Sequence, residues 1–256
     1  MLDQREKISS PFSFLTSEVN KLYCFNRWEF EKYCKNQNWD TDHIPENSAF
    51  ISICGTDPVQ EYVLHENEPH YFSVPNGQFP VLNLNFDDIS EDFVLIESTN
   101  ECAVGITLSQ ADLAVKFIRN NIGKDFYIHC RAGHSRSQAF VRYILDMYDM
   151  VYDFQIRPEN PPTSYNQYVK SKLNKAARLL GEDIRVGLIR EGYKIEYMWS
   201  SWEANIPASF VILKVKLEEL DTEFIKRSDG TWLIPSHGMA ESDFELWEIL
   251  RKATKP

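Results

Sequence analysis

The chain has 256 residues, enough for one or two domains with a substantial interior. Hydrophobic residues at 43% and charged residues at 25% are ordinary for a globular chain and exclude a mostly disordered, collagen-like or disulfide-dense one. A formal net charge of −11 repels phosphate backbones at long range, so binding to nucleic acid or to an anionic membrane is disfavoured, though a local basic pocket can survive inside that field.

The opening M-L-D-Q-R-E-K-I-S-S lacks the apolar stretch of a secretory signal. No apolar run approaches the ~18 residues that a membrane helix needs. Cysteines at 24, 34, 54, 102 and 130 form no C-x-x-C pair, which argues against a zinc ribbon or a thioredoxin-type centre. Together these features predict a cytoplasmic protein with reduced thiols.

In chain order, short β-prone runs predict strands at 21–24 and 49–54, with helical spacing over 27–37 between them. A third strand is expected at 80–86, ending in Asp87-Asp88. Residues 107–121 read as a helix with Thr107 or Ser109 as its cap and Gly123 as its stop. A strand at 125–129 and a helix at 136–150 follow, and then a proline-rich break at 157–164 and a polar helix at 165–180. This alternation predicts an α/β fold with a parallel or mostly parallel central sheet flanked by helices.

Beyond Gly181 the pattern changes. Strands are expected at 193–199 and 209–216, a hairpin turn at Ser228-Asp229-Gly230, and a closing helix at 240–252. The expected division is a domain over 1–180 and a small C-terminal α+β extension over 181–256. Trp199, Trp202, Trp232 and Trp247 read as core or interface of that extension rather than as a stacking site.

The informative segment is His129-Cys130-Arg131-Ala132-Gly133-His134-Ser135-Arg136-Ser137, between a predicted strand and a predicted helix. Peptide N–H groups from Arg131 to Arg136 can curve around one anion, and the helix N-terminus adds its positive end at the same point. Gly133 gives the tight loop its backbone freedom. Arg136 can close the ring and hold two anion oxygens bidentately. The same field favours the thiolate of Cys130, a nucleophile near neutral pH.

This run resembles the signature of the cysteine-dependent protein tyrosine phosphatase superfamily, H-C-x5-R-S/T, and A-G-H-S-R-S is similar to its dual-specificity and small prokaryotic-type branches. In weaker form the resemblance extends over about 20–180; L-N-F-D-D-I at 84–89 resembles the general-acid loop, and 181–256 has no counterpart. The stretch 91–106 holds residues beyond those that this branch needs.

The resemblance implies a protein tyrosine phosphatase-like fold and hydrolysis of phosphotyrosine, with phosphoserine or phosphothreonine in addition, in proteins. Cys130 would attack phosphorus, giving a phosphocysteine. Arg136 and the amides of Arg131, Ala132, Gly133, His134 and Ser135 would hold the equatorial oxygens. Ser137 would donate to the sulfur, and His129 would help fix the loop and the thiolate. Asp88, with Asp87 as the alternative, would protonate the leaving oxygen and then activate water. No metal or cofactor is required.

Other readings compete. Adjacent aspartates after a strand also make an ordinary turn. His134 is either a substrate contact or a solvent-exposed loop residue. The same chemistry could serve RNA 5′-ends, nucleotides or inositol phosphates, although the loop offers only Arg131 beyond Arg136. A rhodanese-like or arsenate-reducing enzyme, or a non-catalytic phosphate-binding module, is a further alternative. Cys54 closes a strand that, if adjacent to the strand before Cys130, would bring a second thiol to the same sheet edge; otherwise it is a small buried hydrophobe.

Overall fold

The computed structural model describes residues 20–56, 70–77, 79–97, 101–148, 152–154, 164–204, 211–218, 220, 223–234 and 238–253. The first part of the chain runs β1 (Asn20–Asn26), α1 (Arg27–Asn36), β2 (Ser48–Cys54), β3 (Val81–Asn85), β4 (Phe93–Ile96), β5 (Glu101–Val104), α2 (Leu108–Asn120), β6 (Asp125–Cys130), α3 (Arg136–Tyr148), β7 (Tyr152–Phe154) and α4 (Gln167–Leu180). It continues through α5 (Glu182–Arg190), β8 (Ile195–Ser200), β9 (Val211–Leu217), β10 (Glu223–Arg227), β11 (Trp232–Ile234), β12 (Gly238–Ala240) and α6 (Asp243–Ala253). The chain divides into two compact units at Ala177, within α4. Residues 157–163 of the proline-rich break and residues 209 and 210 lie outside the described residues. None of the helices among the described residues is long and apolar enough to cross a membrane.

Five parallel strands make one sheet, in the order β3-β2-β6-β1-β7. Every residue of β2, S-A-F-I-S-I-C, is buried, as a strand covered on both faces requires. Period-two alternation sorts the side chains by face. Phe25 on β1 packs against Phe30 of α1, whereas its neighbour Cys24 reaches Ser137 of α3, so α1 and α3 lie on opposite faces.

The α1 face carries an aromatic core of Phe25, Phe30, Phe50, Phe72 and Tyr127, flanked by Tyr23, Tyr33 and Trp39. Its rings pack closely, with centroids 4.7 Å apart for Phe50–Phe72 and 4.8 Å for Tyr23–Tyr127. Burial on this scale is worth about 1.5–3 kcal/mol for each large side chain. It also makes the C-terminal edge of the sheet a rigid base for the loops that leave it. Thr107 caps α2 reciprocally with Gln110, the pattern that stops a helix from fraying.

Two elements of this unit differ from expectation. Phe93–Ile96 and Glu101–Val104 pair as antiparallel strands, β4 and β5, within the stretch that had no assigned structure. Phe93 and Leu95 on β4 are 66% and 57% exposed, so no buried face gave it an alternating pattern. β7 is three residues long and adds a fifth strand beside β1.

The second unit is an antiparallel sheet in the order β12-β11-β10-β9-β8, covered by α5 and α6. Ile184, Leu188, Leu246 and Leu250 from the helices meet Leu213, Val215, Leu217, Phe224 and Trp232 from the sheet. Among the four tail tryptophans, Trp232 is fully buried in this core and Trp247 packs against it, whereas Trp202 is 39% exposed. The turn expected at Ser228-Asp229-Gly230 joins β10 to β11, with Gly230 at φ +89° and Asp229 accepting from Thr231 N at 2.9 Å. The closing helix starts at Asp243 rather than at 240, because Gly238–Ala240 pairs with β11.

Candidate active site

β6 delivers Cys130 to the C-terminal edge of the parallel sheet, and α3 starts six residues later at Arg136. The intervening loop is held from beneath. The Arg27 amide donates to the Arg131 carbonyl at 3.1 Å, which ties the loop to the β1–α1 junction. Gly133 has φ +74°, and a Cβ on it would stand 2.6 Å from the backbone nitrogen of Asn26. Both the backbone angle and the close approach demand glycine.

Cys130 is 2% exposed, and its sulfur is surrounded by polar groups. Gly133 N donates to Sγ at 3.3 Å, and Ser137 Oγ lies 3.1 Å from it. Arg136 is buried at the first turn of α3 and sends Nη1 to the Phe86 carbonyl at 2.8 Å. That bond links the loop arginine to the residue immediately before the aspartate pair. Arg131, Ala132 and His134 are exposed and Ser135 is half-buried.

The two aspartates have different surroundings. Asp87 is buried; Thr56 N and Val104 N donate to it at 3.0 and 2.8 Å, and the Thr56 hydroxyl donates as well. It therefore fastens the end of β3 to β5 and to the loop after β2. Asp88 is exposed, and its Oδ1 accepts from Ser135 Oγ at 2.7 Å and from Asn166 Nδ2 at 2.8 Å. Of the two aspartates, Asp88 is the one whose side chain, among the described residues, hydrogen-bonds the Cys130 loop directly. A polar cleft of about 730 Å³ opens beside it, lined by Asp88, Ser90, Ser135, Tyr165, Tyr168 and Ser171 among others.

The side chain of His129 makes no hydrogen bond to the loop or to the Cys130 sulfur among the described residues. Its ring stacks on Phe30 with centroids 4.2 Å apart, and neither ring nitrogen has a hydrogen-bond partner among the described residues. The pleat explains this, because His129 faces α1 while Cys130 faces α3. Burial, reinforced by the charges of Arg27, His70 and Arg136, lowers its pKa to about 3. The ring is neutral at ordinary pH and keeps a single N–H there. Stability is lost as pH falls below the usual histidine range, where the unfolded chain takes up a proton that this ring refuses.

The pleat also separates Cys54 from Cys130. β2 and β6 are adjacent, but Ser52 pairs with His129, so Cys54 falls on the α1 face. There its sulfur is 3.7 Å from Arg27 Nη1 and 3.5 Å from His70 Nδ1. The thiol on the same face as Cys130 is Cys24, which donates to Ser137 Oγ at 3.3 Å and to the Gly133 carbonyl at 3.6 Å. Peroxide converts an accessible thiolate to a sulfenic acid, which condenses with a second thiol, releasing water. Cys24 pairs with Ile128, two residues short of Cys130, so a 24–130 disulfide closes only if the backbone shifts. Mild peroxide followed by peptide mapping is expected to show Cys24, not Cys54, as the partner of any reversible bridge to Cys130. A 54–130 bridge as the main product would show that the loop rearranges before the bond closes.

Asn166 and Cys24 are the site residues that the motifs did not mark. Asn166 fell inside the helix expected at 165–180; α4 starts one residue later, at Gln167, which leaves Asn166 at the position of a cap. No family model, no curated protein and no solved structure matches the chain.

Proposed function

We propose that the chain is a cysteine-dependent phosphatase of the protein tyrosine phosphatase type. It hydrolyses phosphate monoesters, phosphotyrosine first and phosphoserine or phosphothreonine in addition, in proteins. The observation that carries this reading is the loop sulfur of Cys130, set between Gly133 N and Ser137 Oγ, with Asp88 hydrogen-bonded to the same loop through Ser135. The five-stranded parallel sheet, with that loop at its C-terminal edge, supports it, since open α/β sheets place their sites there.

The chemistry follows from the positions. The Cys130 thiolate forms a bond to phosphorus as the ester oxygen leaves with a proton from Asp88. Arg136 and the loop amides hold the charge on the equatorial oxygens. Asp88 then takes a proton from water, whose oxygen displaces the sulfur, and Ser137 stabilises the departing thiolate. His129 stays out of the proton path. Asp87 is a structural residue and Asp88 the acid.

Among the described residues, the lining of the cleft beside Asp88 includes no lysine or arginine. This favours substrates with one phosphate on a polar, uncharged carrier over polyanions such as nucleotides, RNA 5′-ends or inositol polyphosphates. A panel of phosphopeptides, nucleotides and inositol phosphates, assayed in chelator, tests the reading. Phosphopeptide hydrolysis that Cys130→Ser removes is the expected result. Turnover confined to the polyanions would reassign the substrate, and binding without any turnover would leave a phosphate-binding module.

A further inference from the structure

Asn166 belongs to none of the motifs above, yet three parts of the site meet on its side chain and amide. It is 8% exposed. Nδ2 donates to Asp88 Oδ1 at 2.8 Å and to the Ile89 carbonyl at 3.0 Å. Oδ1 accepts from Val169 N at 3.1 Å, which caps α4. The Asn166 amide donates to the Ser135 carbonyl at 3.3 Å, and the Ser135 hydroxyl donates to Asp88 Oδ1.

We propose that Asn166 is a positioning residue for Asp88, clamping Oδ1 so that Oδ2 carries and delivers the proton. The proposal rests on the phosphatase reading of Asp88. An exposed aspartate ordinarily samples several rotamers, and ordering it costs free energy. Two donors converging on one oxygen from different elements fix the plane of the carboxyl group. Among the described residues Oδ2 accepts no hydrogen bond, so it is the oxygen left to exchange a proton with a substrate.

The helix cap sets the direction of the clamp. With Oδ1 of Asn166 committed to Val169 N, Nδ2 must face Asp88 and the Ile89 carbonyl. The opposite orientation would set the amide oxygen against two other acceptors and leave the helix end unpaired. A carboxylate in this place could cap the helix but could not donate. Serine could cap it but could not reach both partners.

In the first step the Cys130 sulfur bonds to phosphorus, the P–O bond to the carrier breaks, and the proton on Asp88 Oδ2 passes to the leaving oxygen. In the second, water gives a proton to Oδ2 while its oxygen bonds to phosphorus and the S–P bond breaks. Both transfers use the same oxygen of Asp88, so a carboxyl group that rotates loses rate in each.

Asn166→Asp and Asn166→Ser separate the clamp from the cap, because both can still cap α4. Aryl phosphates with a range of leaving-group acidities are the probes, in the parent chain and in Asp88→Asn. For the poorest leaving groups we expect kcat/KM, which reports the step in which the carrier oxygen leaves, to fall about 10–100-fold. For the best leaving groups the loss should stay within about 3-fold, and in Asp88→Asn the second substitution should add nothing. Equal slowing of all leaving groups, or a further loss in Asp88→Asn, overturns the clamp and leaves the phosphatase reading intact. Absence of Cys130-dependent turnover in the parent chain overturns both.

Discussion

Cys130→Ser is expected to lower turnover by at least ~10³-fold while binding of phosphate or vanadate stays within a few-fold of the parent. The reason lies in the division of labour around the sulfur. The oxygens of a bound anion are held by loop amides and Arg136, which the substitution leaves in place, whereas the bond to phosphorus needs the thiolate. Ser137 Oγ and Gly133 N already surround that position, so a serine hydroxyl fits without disturbing the loop. Single-turnover assays and oxyanion titration read the two quantities separately. Retained turnover would place the nucleophile elsewhere. Arg136→Lys should fail in both respects, because a point charge replaces a buried fork that also braces the Phe86 carbonyl.

How much of this was legible in the sequence depends on how local each signal was. The signature loop needed only consecutive residues, and the elements on either side of it carried strong patterns: a short, β-prone and almost wholly buried β6 and an α3 with apolar residues at Phe140, Val141, Tyr143, Ile144 and Tyr148. The β4–β5 pair had no such pattern, because Phe93, Val94 and Leu95 of β4 face solvent rather than a core. α5 was hidden for the opposite reason. Glu182 and Arg185 read as surface residues but are buried together as an ion pair at 2.8 Å, and Gly187 interrupts the helical composition.

Face assignments were the other loss. Knowing that Cys54 and Cys130 both end strands says which edge they reach, but not which side of the sheet they face. That is fixed by register, here Ser52 with His129 and Cys24 with Ile128. A one-residue slip would have put Cys54 beside Cys130 and Cys24 away from it. The side of the sheet that His129 faces is fixed by the same register.

Asp88→Asn is expected to lower kcat/KM for aryl phosphates with poor leaving groups by about 10²–10⁴-fold and for those with good leaving groups only slightly. A phenolate of low basicity departs without a proton, so loss of the acid is felt in proportion to the basicity of the oxygen it would have protonated. Asparagine keeps the size of the side chain and an oxygen able to accept from Ser135 and Asn166, so the loop should stay in place. Asp87→Asn provides the contrast. Its carboxylate accepts from Thr56 N and Val104 N, and an amide cannot keep every one of those bonds without turning a donor toward a donor. It should lower stability by about 1–3 kcal/mol, seen as a lower Tm, and slow all leaving groups alike. A steep leaving-group dependence in Asp87→Asn, with a flat one in Asp88→Asn, would exchange the two roles. That outcome would also require Asp87 to leave the hydrogen bonds that now join β3 to β5, which hydrogen exchange at Val104 would detect.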